Sequence, residues 1–190
     1  VDLPVTVKFR LGYTAETKNF REFALKMQEA GADAMTIHCR TRSQMYSGKA
    51  DWSEIAGIKE FIKVPVFANG DVIDIDSAIK CLEESKADGV AAARGVLGNP
   101  ALLGEIENYL KTGEKPEKLS FKEKIRLMKT HLDEEIRLRG ENCAIQFTRK
   151  FYPYYIRGIK GASQFRYALV TENSYEKILK IIDEIEAQCD

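Results

Sequence analysis

No apolar run in this 190-residue chain approaches the roughly 18 residues that a membrane-spanning helix needs, and no signal-like segment opens it. Neither sign of charge is in excess, because 29 basic residues face 29 acidic ones. No global field therefore draws the chain to nucleic acid or to an anionic membrane, and any RNA contact has to come from a local patch. The four cysteines, Cys39, Cys81, Cys143 and Cys189, include no Cys-x-x-Cys spacing, which argues against zinc and against a compact disulfide framework. The expectation is a metal-free cytoplasmic protein with reduced thiols and no membrane partner. An initiator methionine is lacking too. Val1-Asp2-Leu3-Pro4 runs directly into a strand-like segment, which suggests a piece of a longer protein.

What is present is a respectable core, with 44% hydrophobic and 31% charged residues. Val5 to Leu11 reads as a strand. Asn19 is placed to cap a helix whose stripe is Phe20, Phe23, Ala24 and Met27, and Gly31 stops it. Ala34 to His38 is a second strand, left through the polar turn Cys39-Arg40-Thr41-Arg42. Ser43 to Asp51 has no period and reads as a long functional loop. Ser53 to Phe61 is a short amphipathic helix, Val64 to Ala68 a third strand, and Asp74 caps a helix carrying Ile75, Ala78, Ile79 and Leu82. Gly89 to Ala93 is the fourth strand, with Pro100 in the first turn of the next helix.

Strand starts at 5, 34, 64 and 89 thus recur 25 to 30 residues apart, each followed by a helix. That is the βα alternation of a parallel sheet, either four units of an eightfold barrel or a small open sheet. After a linker at Thr112 to Leu119 only helical periods remain. Phe121, Ile125, Met128 and Leu132 mark one helix with a Ser120–Glu123 capping box, ended by Gly140. Asn142 to Ile156 makes another, bent by Pro153, and Tyr175, Ile178, Ile182 and Ile185 mark the last. Two domains are expected, 1–115 of βα type and 116–190 helical.

The residues suited to chemistry fall at the carboxyl ends of the four strands, where α/β barrels bind ligands. Lys8 reads either as an exposed strand-end lysine or as a ligand cation. His38 reads as a satisfied structural histidine or as a donor to a phosphate or ring carbonyl, with Arg40 and Arg42 adding an anion-attracting rim. Asn69-Gly70-Asp71 has the composition of a hairpin turn, but a helix follows instead of a strand, so that reading fails. Gly70 allows close backbone approach to a ligand, and Ala93-Arg94-Gly95 adds a guanidinium fork suited to phosphate. The alignment of four such strand ends favours a phosphorylated cofactor or substrate. In the helical part, Thr148 to Ala162 interleaves cations with aromatics. Composition alone leaves two readings level there: RNA gripped by charge and stacking, or rings that are simply core.

Val5-Thr6-Val7-Lys8-Phe9-Arg10-Leu11-Gly12, Thr36-Ile37-His38-Cys39-Arg40-Thr41-Arg42, Pro65-Val66-Phe67-Ala68-Asn69-Gly70-Asp71 and Ala93-Arg94-Gly95-Val96-Leu97-Gly98-Asn99-Pro100 together resemble the tRNA-dihydrouridine synthases of bacterial type, over essentially the whole chain. The resemblance implies the C-terminal half of an FMN-binding (β/α)8 TIM barrel, four βα units, followed by an all-helical tRNA-binding domain. It implies that Lys8 and His38 contact the flavin, that Asn69, Gly70 and Asp71 hold its ribityl phosphate region, and that Ala93 and Arg94 continue the phosphate cup. It also assigns Arg149, Lys150, Tyr152, Tyr155, Arg157 and Lys160 to tRNA.

Ala93, Cys39 and Phe151 stand where the family commonly has Gly, Gly and His. The family's Asn-x-Gly-Cys-Pro segment, whose cysteine protonates the uracil, does not occur in this chain, so no catalytic residue is assigned and Cys39 is not taken as that cysteine. The implied reaction is reduction of uridine to 5,6-dihydrouridine in tRNA with NADPH as reductant. Alternatives are another FMN-barrel oxidoreductase acting on a small molecule, which has no need of a basic–aromatic tail, and a non-catalytic RNA-binding fragment. A half-barrel is expected to expose two sheet edges and an apolar inner face, which two copies could bury by forming a homodimer.

Overall fold

The computed structural model describes residues 2–188. Four strands, β1 (Thr6–Arg10), β2 (Ala34–His38), β3 (Val66–Asn69) and β4 (Gly89–Ala91), form one sheet in the order β1-β2-β3-β4, with every neighbouring pair parallel. The connections carry helices α1 (Phe20–Glu29) after β1 and α2 (Ile75–Ser85) after β3, and α3 (Leu102–Thr112) follows β4. This is an α/β fold built on a parallel sheet. Helix α2 starts at a capping box in which the Asp74 carboxylate accepts from the Ser77 N–H at 2.8 Å. Asn19 precedes α1 but makes no side-chain cap.

Side-chain alternation splits the sheet into two unlike faces. Met35, Ile37, Val66 and Ala68 lie on one face, wholly buried. Phe9 shares that face and meets Phe23 of α1 edge-on at 4.8 Å. The opposite face carries Thr6, Lys8, Arg10, Thr36, His38, Phe67 and Asn69. The apolar inner face expected from the half-barrel reading is therefore absent. Charged and polar side chains occupy it, with Phe67 as the exception, so the drive for two copies to bury it as an oily surface falls away.

Local details also depart from the sequence reading. Residues 53–61 form two short 3-10 turns, Trp52–Ile55 and Ile58–Glu60, instead of one helix. Gly57, at φ +80°, interrupts the run with a left-handed residue that an α-helix cannot carry. Strand β4 stops at Ala91, and Pro100 lies before α3 instead of inside its first turn.

Contacts divide the chain into two compact units. One runs up to Gly95 and adds Leu102–Glu114; the other takes Val96–Ala101 and the chain from Lys115 on. Within the second unit the elements are α4 (Phe121–Arg139), α5 (Glu141–Thr148), α6 (Tyr152–Tyr155), α7 (Ala162–Thr171) and α8 (Tyr175–Ala187). Ser120 and Glu123 close a capping box on α4. Ile125, Met128, Leu132, Ile145, Tyr152, Tyr155, Ile156, Leu169, Ile178, Ile182 and Ile185 make one buried cluster. The single helix expected over 142–156 is two. Helix α5 ends at Thr148, and Pro153 sits in the first turn of α6, where its missing N–H costs nothing. Helix α7 was not anticipated, since Ala162–Thr171 buries only Leu169 and shows little apolar stripe.

Candidate functional site: a cationic cup at the strand ends

Parallel register brings Arg10, His38, Asn69 and Ala91 side by side across all four strands. Lys8 stands two residues before Arg10, hence on the same face. Past this row the chain leaves β3 through Gly70 and Asp71, and leaves β4 through Ala93, Arg94 and Gly95. All of these residues except Ala91, with Tyr46, Val72 and Ile73, line a single cavity of about 470 Å³. That volume lies within the ~300–1,000 Å³ typical of small-ligand sites.

Glycine at 70 is required by both conformation and space. Its φ is +120°, and a Cβ there would stand 2.8 Å from the Ala50 Cβ and 3.0 Å from His38 Cδ2. The carbonyl of Gly70 accepts from the indole N–H of Trp52 at 2.8 Å. Asn69 Nδ2 donates to the Ala91 carbonyl at 2.6 Å, which ties the end of β3 to the end of β4.

The Asp71 side chain braces the turn from within. The residue's φ is +56°, and its carboxylate accepts both Arg40 guanidinium arms, at 2.9 and 2.6 Å, and the Ala50 N–H at 2.8 Å. Arg40 is only 2% exposed and also donates to the Gly48 carbonyl at 2.7 Å. Burial alone would raise the Asp71 carboxyl, but Arg40 and the Ala50 N–H outweigh it and hold it below the ordinary aspartate value. The Asp71 carboxylate is thus an internal strut of the turn, while the residue itself lines the cavity. Arg40 is no part of an anion-attracting rim, while Arg42 is exposed but borders a different hollow beside Tyr13.

The Arg40–Asp71 pair cancels, so the cup keeps the charges of Lys8, Arg10 and Arg94. Among the described residues no carboxylate pairs with Lys8 or Arg10, and Arg94 reaches Asp71 only at 3.5 Å. Arg10 itself donates to the carbonyls of Thr41 and Met45, at 2.9 and 3.4 Å. Burial first, then the charge of Arg10, lowers the Lys8 ammonium from its ordinary value. His38 is brought down to about 4, by burial first and then by Arg10, Lys8 and Arg40, so it is a neutral imidazole near pH 7. Three cations, a neutral histidine and a fixed amide suit an anionic ligand with hydrogen-bonding ring or hydroxyl groups. Arg10 and Tyr46 were not singled out in the sequence. The period-two spacing from Lys8 marked Arg10, whereas Tyr46 lies on a loop with no period.

Neither Cys39 nor Cys81 is a reactive thiol. Both are buried, and burial pushes each up to about 12. Cys189 lies outside the described residues. Among the described residues no cluster of His, Cys, Asp or Glu could hold a metal ion, and no helix is long and apolar enough to cross a membrane.

In the second unit the residues assigned to RNA separate into two groups. Tyr152 and Tyr155 are 1% and 3% exposed, so their faces are closed to a base. The Tyr152 hydroxyl pairs with Thr148 Oγ1 at 3.0 Å, and that of Tyr155 with His131 Nδ1 at 3.1 Å. Both are core residues, correcting the assignment. Arg149 is half-buried and donates to the Glu172 carbonyl and Asn173 Oδ1, at 3.1 and 2.7 Å, which joins it to the α7–α8 connection. Lys150, Arg157 and Lys160 are exposed. The Lys150 ammonium lies over the Phe147 and Phe151 rings, at 3.8 and 4.9 Å.

A cationic cup at the carboxyl ends of parallel strands is the arrangement of α/β proteins that bind anionic ligands. The model of the dihydrouridine synthase (Dus) family matches residues 1–188, and the chain belongs to that family. A probable tRNA-dihydrouridine synthase 1 of Synechocystis sp. is 42% identical over 184 residues, 97% of this chain and 52% of that protein. A probable tRNA-dihydrouridine synthase of Rickettsia bellii is 39% identical over 169 residues, covering 89% and 52%. A tRNA-dihydrouridine synthase B of Pseudomonas aeruginosa is 35% identical over 166 residues, covering 87% and 50%. The chain spans about half the length of these curated relatives.

Proposed function

We propose that this chain is the cofactor-anchoring and tRNA-holding part of an enzyme that reduces uridine in tRNA to 5,6-dihydrouridine, with FMN as cofactor and NADPH as reductant. The observation that carries the reading is the cup: Lys8, Arg10 and Arg94 converge with a neutral His38 on one cavity, in a chain of the dihydrouridine synthase family. The donor set fits FMN. Arg94 and the Gly70 turn would hold its phosphate, and Lys8 and His38 would lie toward its ring. Bound flavin would supply the hydride that adds to the uracil double bond.

The residues of this chain bind and orient. Neutral His38 can donate or accept one hydrogen bond without carrying charge, and Lys8 stays cationic beside it. The Arg40–Asp71 strut keeps the Gly70 turn open toward the ligand. The buried Cys39 and Cys81 thiols hold their protons too tightly to deliver the one that completes the reduction. The acid that delivers it is assigned to the part of the whole protein outside this chain. The four βα units are read as half of a TIM barrel. Lys150, Arg157 and Lys160 would face tRNA phosphates by charge.

The whole protein should purify yellow, with a flavin band near about 450 nm, and tRNA from cells lacking its gene should lose dihydrouridine at specific positions. A colourless whole protein that cannot be loaded with FMN, or tRNA with unchanged dihydrouridine, would overturn the reading.

A further inference from the structure

The loop that follows β2 is fastened to the sheet end and projects one ring toward the cup. Arg40 Nη2 donates to the Gly48 carbonyl, the Ala50 N–H donates to Asp71 and the Asp51 N–H donates to the Cys39 carbonyl. On its other side, Arg10 donates to the carbonyls of Thr41 and Met45. Met45 at φ +52° turns the chain so that Tyr46 lines the cavity while staying 61% exposed. The Arg94 guanidinium lies over this ring, 4.4 Å from its centroid.

Arg94 has little else to hold it. Its side chain is 56% exposed, and its approach to Asp71 is 3.5 Å, longer than a good charge-assisted bond. The Asp71 carboxylate is already filled by the two arms of Arg40 and by Ala50. An exposed arginine without a strong partner samples many rotamers, and each must be frozen out when it binds an anion. A guanidinium held over an aromatic face is confined to fewer rotamers, keeps N–H groups available and loses less on binding.

We infer that Tyr46 is the positioning residue that presents Arg94 to the anionic end of the ligand, so that it sets how strongly the cup prefers a phosphorylated ligand over the same ligand without phosphate. The inference rests on the proposed function, which makes that ligand FMN. It deepens that reading by assigning the preference to a loop residue that contacts the phosphate only through Arg94.

The test uses the whole protein stripped of cofactor, with FMN and riboflavin as paired probes followed by flavin fluorescence. Tyr46→Ala and Arg94→Ala should each weaken FMN binding by about tenfold while changing riboflavin by less than about twofold. Tyr46→Phe, which keeps the ring, should behave as the parent. The double variant should be no worse than Arg94→Ala alone, since the two act in series. Because Tyr46 is exposed, thermal unfolding without flavin should not move. Equal losses for FMN and riboflavin in Tyr46→Ala, or additive losses in the double variant, would overturn the inference. A parent protein that binds neither flavin would overturn the functional reading, and this inference with it.

Discussion

In the strand-end cup, Lys8, Arg10 and Arg94 line a cavity and the Tyr46 ring stands exposed among them. In the stretch from Thr148 to Ala162, Tyr152 and Tyr155 are buried while Lys150, Arg157 and Lys160 stand in solvent. Both regions mix cations with rings, but the scaffolds dispose of them differently. A parallel sheet has already buried its other face, so its strand ends can spend side chains on a ligand. A small helical unit has only its helices to build a core from, and it uses its largest rings for that. The same composition is therefore disposed differently: its rings border a cavity in one region and mostly fill a core in the other, with Tyr154 left exposed.

The largest expected effect tests whether the cup depends on its strut. Asp71→Ala leaves the Arg40 guanidinium buried without a counter-charge and should cost about 3–5 kcal/mol in urea unfolding. Arg94→Ala, which removes an exposed cation, should cost less than about 0.5 kcal/mol. Similar losses in the two variants would mean that Asp71 serves the ligand more than the fold.

Acidification should resolve the cup into two steps. His38 is held near 4 in the folded protein against an ordinary value of 6.5. Between those values the unfolded chain binds a proton that the native chain refuses, so stability should fall as pH drops from about 6.5 to about 4 and gain nothing further from His38 below that. The depressed Asp71 carboxyl contributes stability that is complete above about pH 4 and lost only as pH falls lower. His38→Asn should flatten the upper window and leave the lower one. A parent curve that is flat from pH 6.5 to 4 would contradict the neutral imidazole.

Smaller effects probe the helical unit. Tyr152→Phe removes one partner of the Thr148 hydroxyl, which keeps its bond to the Ala144 carbonyl, and should cost about 0.5–1.5 kcal/mol without altering RNA affinity. Weaker RNA binding at unchanged stability would restore a stacking role to that ring. Lys150→Ala and Arg157→Ala should each leave stability within about 0.5 kcal/mol. Each should also weaken tRNA binding evenly across sequences and lower the salt slope by about 1.

The βα alternation was legible because each strand is bounded by turn residues and each helix shows its apolar spacing. The residues of the cup were legible by position, since His38, Asn69 and Arg94 fall at or just past a strand end and Lys8 lies two residues before one. What escaped depends on partners distant in sequence. The bracing role of the Asp71 carboxylate comes from Arg40, thirty-one positions earlier. Tyr46 carries no signal because a loop has no period, and its meaning comes from Arg94. Tyr152 and Tyr155, three apart, did carry the spacing of a buried helical face, and interleaved cations obscured it. The helix expected over 53–61 failed at Ala56 and Gly57, where the backbone leaves helical angles.

Trp52 gives this arrangement a further consequence. It is the chain's one tryptophan, 8% exposed, and its indole hangs from the carbonyl of the glycine that shapes the cup. Indole emission responds to that hydrogen bond and to any chromophore close enough to accept its excitation. The molecule therefore carries its own optical gauge at the turn: a yellow ligand seated above Gly70 would dim Trp52 by energy transfer, and a colourless anion would shift its colour only if the turn itself moved.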